Sequence, residues 1–178
     1  MSNDTIWSEM KKAYEGNSSL ELPERLLVTL EAAEDAGGDI RGKQSAALLV
    51  VSSKVYPNPW SGKIMEIRVE DSTQPLPELR RLLRLKRAYE WADKGDDALS
   101  SGNLDASRDA FRKAQEFAPD NEEIRYWMGV TLLGSNNSIE GKTILKDIFA
   151  KNKNWVMVTK SLIEKGYLPK DSPVLELV

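Results

Sequence analysis

The sequence contains no cysteine and no histidine. Without cysteine the chain can form neither a disulfide nor a thiolate metal site. Without histidine it lacks the side chain that most often acts as a general base near neutral pH, and also the commonest nitrogen ligand for metals. We therefore predict no catalytic residue, no metal site and no cofactor, and we expect the chain as it stands not to be an enzyme.

Long apolar runs are also missing. The longest, Ala46–Val51, is far below the ~20 residues that a membrane helix requires. The amino-terminal stretch MSNDTIWSEMKK has no apolar segment of the signal-peptide type. We expect no membrane association and a cytoplasmic location. A net charge of -3 makes nucleic acid an unexpected partner, because duplex binding depends on clustered Lys and Arg.

The first part of the chain predicts two helices. In the first, Asp4 can act as the N-cap, Trp7, Met10 and Tyr14 form one apolar stripe, and Gly16 ends the helix. Pro23 suits the first position of the second helix. That helix stops at Gly37 and Gly38, for which we expect positive backbone angles.

Two short strands follow these helices. The aliphatic run at residues 45–52 favours a buried strand, and the alternation over residues 64–70 indicates a second strand antiparallel to it. A two-stranded sheet is marginal by itself and has free edges. We therefore predict a homodimer in which two hairpins, or an exchanged strand, complete a four-stranded sheet.

The hydrophobic period changes from two to 3.6 near residue 75, which predicts an α+β domain at residues 1–75 and an all-α domain at residues 76–178. The helical part resembles tetratricopeptide repeats in a ~34-residue frame. The first repeat is carried by Trp91, Gly95, Gly102, Phe111, Ala114 and Pro119. A more degenerate second repeat is carried by Met128, Gly129, Leu132, Leu145 and Ile148, and a capping helix follows from about Trp155 to Lys165.

The concave face of such an array is formed by first-helix side chains that point away from the packing seam. In this frame the predicted peptide groove consists of Tyr89, Asp93, Asp96, Glu123, Tyr126 and Val130. The groove would be acidic with aromatic sides, so we expect a basic or an extended apolar peptide as its ligand. The alternative, that these residues are the solvated face of a helical bundle, remains open.

The segment LPERLLVTLEAAEDAGGDIRGKQSAALLVV, followed by EIRVEDSTQPLPELRRLLRL, resembles the carboxyl-terminal half of an uncharacterised conserved family assigned to the Ntn-hydrolase superfamily. The resemblance covers about residues 5–88 and implies part of an αββα sandwich. Enzymes of this superfamily use an amino-terminal Thr, Ser or Cys at the start of a strand. Ser2 precedes a polar stretch and a helix, so it does not fit that role.

The loop after the second helix has two interpretations. In the favoured one, the glycine pair makes a turn, and Asp39 caps the turn or pairs with Arg41. In the other, Asp39, Arg41 and Lys43 line a small ligand pocket where Arg41 holds a carboxylate or phosphate. The cationic run at residues 80–87 is interpreted as a solvated helix face, because acidic residues flank it.

The sequence therefore predicts a non-enzymatic protein-interaction module: a partial Ntn-like unit of two helices and an antiparallel β-hairpin, fused to a tetratricopeptide-like helical array. Its predicted partners are a protein or peptide and a second copy of the chain. The alternative is a subunit or fragment of an Ntn-type hydrolase that needs a missing amino-terminal half.

Overall fold

A computed structural model of the protein describes residues 3–38, 46–52, 54–134 and 138–178. The described residues form seven α-helices and two β-strands. The helices are α1 (Asn3–Gly16), α2 (Leu22–Asp35), α3 (Pro75–Ser100), α4 (Leu104–Phe117), α5 (Glu122–Leu133), α6 (Ser138–Lys151) and α7 (Asn154–Glu164). The strands are β1 (Ala46–Val51) and β2 (Lys63–Val69), and short 3-10 segments occur at Pro59–Gly62 and Pro173–Leu177. The predicted α+β class is confirmed.

The chain forms two compact units, residues 1–84 and 85–178. The long helix α3 begins in the first unit and ends in the second. The predicted domain boundary after residue 75 stays a prediction. No helix in the described ranges is both long and apolar enough to cross a bilayer.

Strands β1 and β2 pair antiparallel, as predicted, with Ala46 opposite Val69 and Leu48 opposite Ile67. The register shifts between Val50 and Val51. Because successive side chains of a strand point to opposite faces, the alternation sorts each strand into a buried and an exposed set. The buried strand residues are Leu48, Val50, Met65, Ile67 and Val69.

The core of the first unit lies on one face of this sheet. Leu27 of α2 and Leu76, Leu79 and Leu83 of α3 pack with the buried strand residues in one cluster. Fully burying each such side chain contributes roughly 1.5–3 kcal/mol. The hairpin is therefore held by helices on its inner face, whereas Leu49, Val51 and Ile64 are exposed.

Helix α1 packs against α2 through Arg25, whose guanidinium donates to the hydroxyl of Tyr14 at 2.8 Å and lies 4.1 Å from its ring centroid. The predicted stripe on α1 is partly wrong. Met10 and Tyr14 are half-buried, but Trp7 is 67% exposed and Ile6 is half-buried instead. Helix α2 covers α1 on one side only. The side of α1 that it covers includes Ile6 and excludes Trp7.

The two glycines after α2 have different roles. Gly37 has φ of 76°, in the left-handed region that stops a helix, as predicted. The positive angle expected for Gly38 is wrong, because the positive-φ residues do not include it. An added Cβ at Gly38 would lie 2.7 Å from the carbonyl oxygen of Ala33, so this glycine permits a close backbone approach.

In the second unit, helices approach closely where glycines remove the side chain. A Cβ added at Gly95 of α3 would lie 2.8 Å from the ring of Phe111 in α4. A Cβ added at Gly129 of α5 would lie 2.8 Å from Cγ of Leu145 in α6. Both residues of the second contact are 34 positions further along the chain than those of the first, so the two helix pairs pack at equivalent positions.

The carboxyl-terminal part of the second unit surrounds Tyr126, which is fully buried. Residues of α5, α6, α7 and the last 3-10 segment form one apolar cluster around it, with Val174 fully buried. The Tyr126 hydroxyl lies 3.0 Å from Oγ1 of Thr159 in a hydrogen bond. These contacts pack α7 and the last 3-10 segment against α5 and α6.

Candidate functional site

Four of the predicted groove residues are brought together on one surface of the second unit. Tyr89, Asp93 and Asp96 lie on α3, and Glu123 lies in the first turn of α5. The hydroxyl of Tyr89 donates to Oε2 of Glu123 at 2.9 Å. This bond joins two helices at residues that the sequence placed in different repeats.

Asn121 positions this junction through both ends of its side-chain amide. Its Oδ1 accepts from the backbone N–H of Ile124 at 3.1 Å, which caps α5. Its Nδ2 donates to the hydroxyl of Tyr89 at 3.3 Å. The N-cap residue of α5 therefore also links the first turn of this helix, which contains Glu123, to α3. Asn121 was missed among the predicted site residues, although its place before an acidic first turn is typical of a cap.

The electrostatics of Asp96 show that the carboxylates act on one another. Loss of surrounding water raises the pKa of Asp96 above its usual range, and the negative charges of Asp93, Asp97 and Glu123 raise that pKa further. Asp97 was also missed, although it stands four residues after Asp93 and therefore on the same helical face. We call Tyr89, Asp93, Asp96, Asp97 and Glu123 the acidic face.

The aspartates of the acidic face lack cationic partners within the described part of the chain. No Lys or Arg there forms an ion pair with Asp93, Asp96 or Asp97. The nearby Lys94 instead places its Nζ 3.9 Å from the ring centroid of Trp91. All three aspartates are exposed, and Tyr89 is 38% exposed. The surface can therefore attract a cationic group and offer it an aromatic side chain.

The two remaining predicted groove residues pack in the apolar cluster of the carboxyl-terminal helices. Tyr126 is buried, with its ring stacked on Trp155 at a centroid distance of 4.7 Å, and this burial raises its pKa. Val130 is half-buried and packs against the same cluster. The prediction of an accessible groove is wrong for Tyr126, because α7 and the last 3-10 segment cover it. For Val130, which is half-buried, it stays a prediction.

The predicted ligand loop, Asp39, Arg41 and Lys43, lies outside the described residues, as does Ser2. In the cationic run, several side chains have carboxylate partners: Arg80 pairs with Glu31, Arg81 with Glu78, and Arg87 with Glu90. Within the ranges described, no group of three or more His, Cys, Asp or Glu side chains could hold a metal ion.

Comparison with known families concerns the first part of the chain. Residues 1–79 match the model of DUF1028, a family of unknown function. The DUF1028 match spans α1, α2, the hairpin and the first residues of α3. No curated protein and no solved structure matches the chain. Because the description of DUF1028 gives no activity, the resemblances to Ntn hydrolases and to tetratricopeptide repeats stay predictions.

Proposed function

We propose that the protein is a non-enzymatic interaction module whose second unit binds a basic segment of a partner protein on the acidic face. One observation carries the proposal: Asp93, Asp96 and Asp97 lie exposed, without ion-pair partners in the described ranges, and close enough to raise the pKa of Asp96. Like charges held together without a cation destabilise the free surface. A bound Lys or Arg side chain would remove that repulsion.

The other members of the acidic face suit the same ligand. Arg guanidinium groups bind carboxylates through two parallel hydrogen bonds and also stack on aromatic rings. The exposed ring of Tyr89 is held beside Glu123 by their 2.9 Å hydrogen bond. A partner segment with two or more cations could therefore engage α3 and α5 at once.

We further propose that the helices of the second unit are of the tetratricopeptide type. The equivalent contacts of Gly95 with Phe111 and of Gly129 with Leu145 support this assignment. Stacked helix pairs of this kind present first-helix side chains on an extended surface. Tyr89 and the aspartates come from one first helix and Glu123 from the next, which fits a surface used for binding.

Peptide binding tests the proposal directly. An extended peptide rich in Lys and Arg should bind the full chain, measured by calorimetry at low and high salt, and should bind more weakly at high salt. The triple variant Asp93→Lys, Asp96→Lys, Glu123→Lys should weaken binding by about tenfold or more, because like charges would then face the peptide.

A matched control reverses three exposed acids elsewhere in the second unit, with the variant Asp120→Lys, Glu164→Lys, Asp171→Lys. Both triple variants change the net charge equally, so the control should retain most of the affinity. An equal loss of affinity in both variants would show that the peptide responds to the net charge of the protein and not to the acidic face. Unchanged binding in the first variant would exclude the acidic face.

A second candidate function is a subunit of an Ntn-type hydrolase whose nucleophile-bearing half comes from another chain. The exposed outer sheet face, with Leu49, Val51 and Ile64, favours it, because a layered sandwich would cover such a face. The native mass of the assembly in extracts of the source cells separates the candidates. A complex containing a different chain that pairs with the hairpin supports the subunit, and its absence removes this candidate.

A further inference from the structure

The two strands of the hairpin differ in how their outer edges are protected. Within the described residues the sheet contains β1 and β2 alone, and no backbone hydrogen bond joins the other edge of β1 to another segment. In an antiparallel strand, the N–H and C=O groups of every second residue point towards that outer edge. β1 therefore offers a row of backbone donors and acceptors.

Side-chain chemistry leaves the edge of β1 open. All six residues, AALLVV, are uncharged and apolar, and none is proline. Natural edge strands are usually blocked by charges, prolines or bulges. β2 has such protection: Glu66 accepts from Lys63 at 2.7 Å and from Arg68, so three charged side chains lie along that strand. Of the two strands, β1 is the one whose sequence suits the interior of a sheet.

The exposure of β1 also suits an interior position. Leu49 is 48% exposed and Val51 is 54% exposed on the face away from the helices. A neighbouring strand would remove part of each side chain from water, which contributes roughly 25 cal/mol for each Å² of apolar surface. Cross-strand pairs of aliphatic side chains contribute further.

We propose that β1 pairs antiparallel with β1 of a second copy of this chain, giving a four-stranded sheet in the order β2, β1, partner β1, partner β2. A two-fold axis perpendicular to the sheet relates the copies. This operation keeps Leu48 and Val50 of both copies on one side, with both sets of helices, and places the charged β2 strands at the outer edges.

The choice of a second copy follows from self-complementarity. Any in-phase register of AALLVV against itself places an apolar side chain opposite another apolar side chain, without like charges. Pairing β2 with its own copy would instead place charged side chains along the interface, with Glu66 directly opposite Glu66 in one register. The proposal does not depend on the acidic face, because all its residues lie in the first unit.

Sedimentation of the full chain over the micromolar range tests the association, with a matched set of exposed apolar residues as controls. Leu49→Lys and Val51→Lys, each made alone, should shift the equilibrium towards monomer by about tenfold or more, because each places two cations on the paired strands. Ile64→Lys changes an apolar side chain on β2 that is somewhat more exposed, and should leave the association within about twofold of the original chain.

Circular dichroism should give the same helical signal for all three variants, since each altered side chain is exposed. A chain that stays monomeric over the micromolar range overturns the proposal. So does a dimer that Ile64→Lys disrupts while Leu49→Lys and Val51→Lys leave it intact, because that pattern would assign the interface to β2.

The absence of cysteine allows a second measurement of the same contact. A single cysteine is introduced at each position from Ala46 to Val51, and the rate of interchain disulfide formation is measured. Two-fold antiparallel pairing places one position directly opposite its own copy, with Cβ atoms about 4.5–5.5 Å apart, which is close to the ~3.5–4.5 Å that a disulfide needs. One position should therefore react much faster than the rest, and uniform slow rates would contradict the pairing.

Discussion

The indole ring of Trp155 stacks on the phenol ring of Tyr126, with ring centroids 4.7 Å apart and an angle of 21° between the planes. The same indole donates from Nε1 to Oε2 of Glu122 at 2.9 Å, and this bond is the main reason that the pKa of Glu122 is lowered. One side chain of α7 thus holds both a buried aromatic residue and the first turn of α5. This contact is why Tyr126 belongs to the core and not to a binding surface.

Replacing Trp155 should destabilise the second unit. Trp155→Ala removes the stacked ring and the donor to Glu122, and should lower the free energy of unfolding by about 2–3 kcal/mol. Met157→Ala, on the same helix but with a side chain 70% exposed, should change it by no more than about 0.5 kcal/mol. Urea denaturation measures both, and similar losses in the two variants would contradict the described packing.

The close approach of α5 and α6 predicts an intolerant glycine at position 141. A Cβ there would lie 2.7 Å from the carbonyl oxygen of Gly129 and 2.8 Å from the backbone nitrogen of Leu133, and neither atom can move like a flexible side chain. Gly141→Ala should therefore destabilise by about 1–3 kcal/mol, despite the higher helix propensity of alanine. Gly16→Ala, where nothing lies within 4 Å of the new Cβ, should be neutral or slightly stabilising in the same denaturation experiment.

Removing either of two buried hydroxyl groups of the second unit should change the stability, but in opposite directions. Oγ of Ser107 is buried and has no hydrogen-bond partner in the described part of the chain, so Ser107→Ala should stabilise by about 1 kcal/mol. Oγ1 of Thr159 bonds to the Tyr126 hydroxyl and donates to the carbonyl of Trp155 at 2.8 Å. Thr159→Val loses both bonds and should destabilise by about 1–3 kcal/mol. Thermal unfolding of the two variants checks the contrast, and a destabilised Ser107→Ala would show that its hydroxyl has a partner.

The raised pKa of Asp96 predicts a pH-dependent effect. An acid whose pKa is higher in the folded state than in the unfolded state reduces stability once it is ionised. This loss is absent below the unfolded pKa of about 3.9 and is complete above the folded pKa. Asp96→Asn should therefore stabilise the protein at neutral pH, and the gain should disappear as the pH falls through the folded pKa.

Urea denaturation of Asp96→Asn and of the original chain at a series of pH values measures the difference in their free energies of unfolding. Asp171→Asn, which changes an exposed carboxylate outside the acidic face, serves as the control. A gain that is the same for both variants, or one that grows as the pH falls, would contradict the electrostatic assignment.

Much of the local structure follows from short-range patterns. The 3.6-residue period after residue 75 and the alternation along β2 predict the element types, because each pattern reports which side of an element is apolar. The stop at Gly37 follows from the left-handed angle that glycine adopts without strain, and the structure has it there. The acidic character around Tyr89, Asp93 and Asp96 also follows from spacing along one helix.

The errors come from contacts between elements that are distant in the sequence. Trp7 and Ile6 are neighbours on α1, and the contact with α2 decides which of the two is covered. Gly38 has a backbone contact with Ala33, and the residue type alone does not separate this role from a positive angle. Asn121 enters the candidate site through its hydrogen bond to Tyr89 of α3. Asp97 is a different case, because it shares a helical face with Asp93 and the spacing alone could have found it.

Hydrophobic period and charge are properties of neighbouring positions, so they predict the helices, the antiparallel hairpin and the cluster of acidic residues without knowledge of the packing. Packing between distant elements instead covers Tyr126 and brings Tyr89 and Glu123 together at an exposed surface. Burial depends on which other elements lie over a side chain. For Tyr126 those are α7 and the last 3-10 segment, some 30 to 50 residues further along the chain.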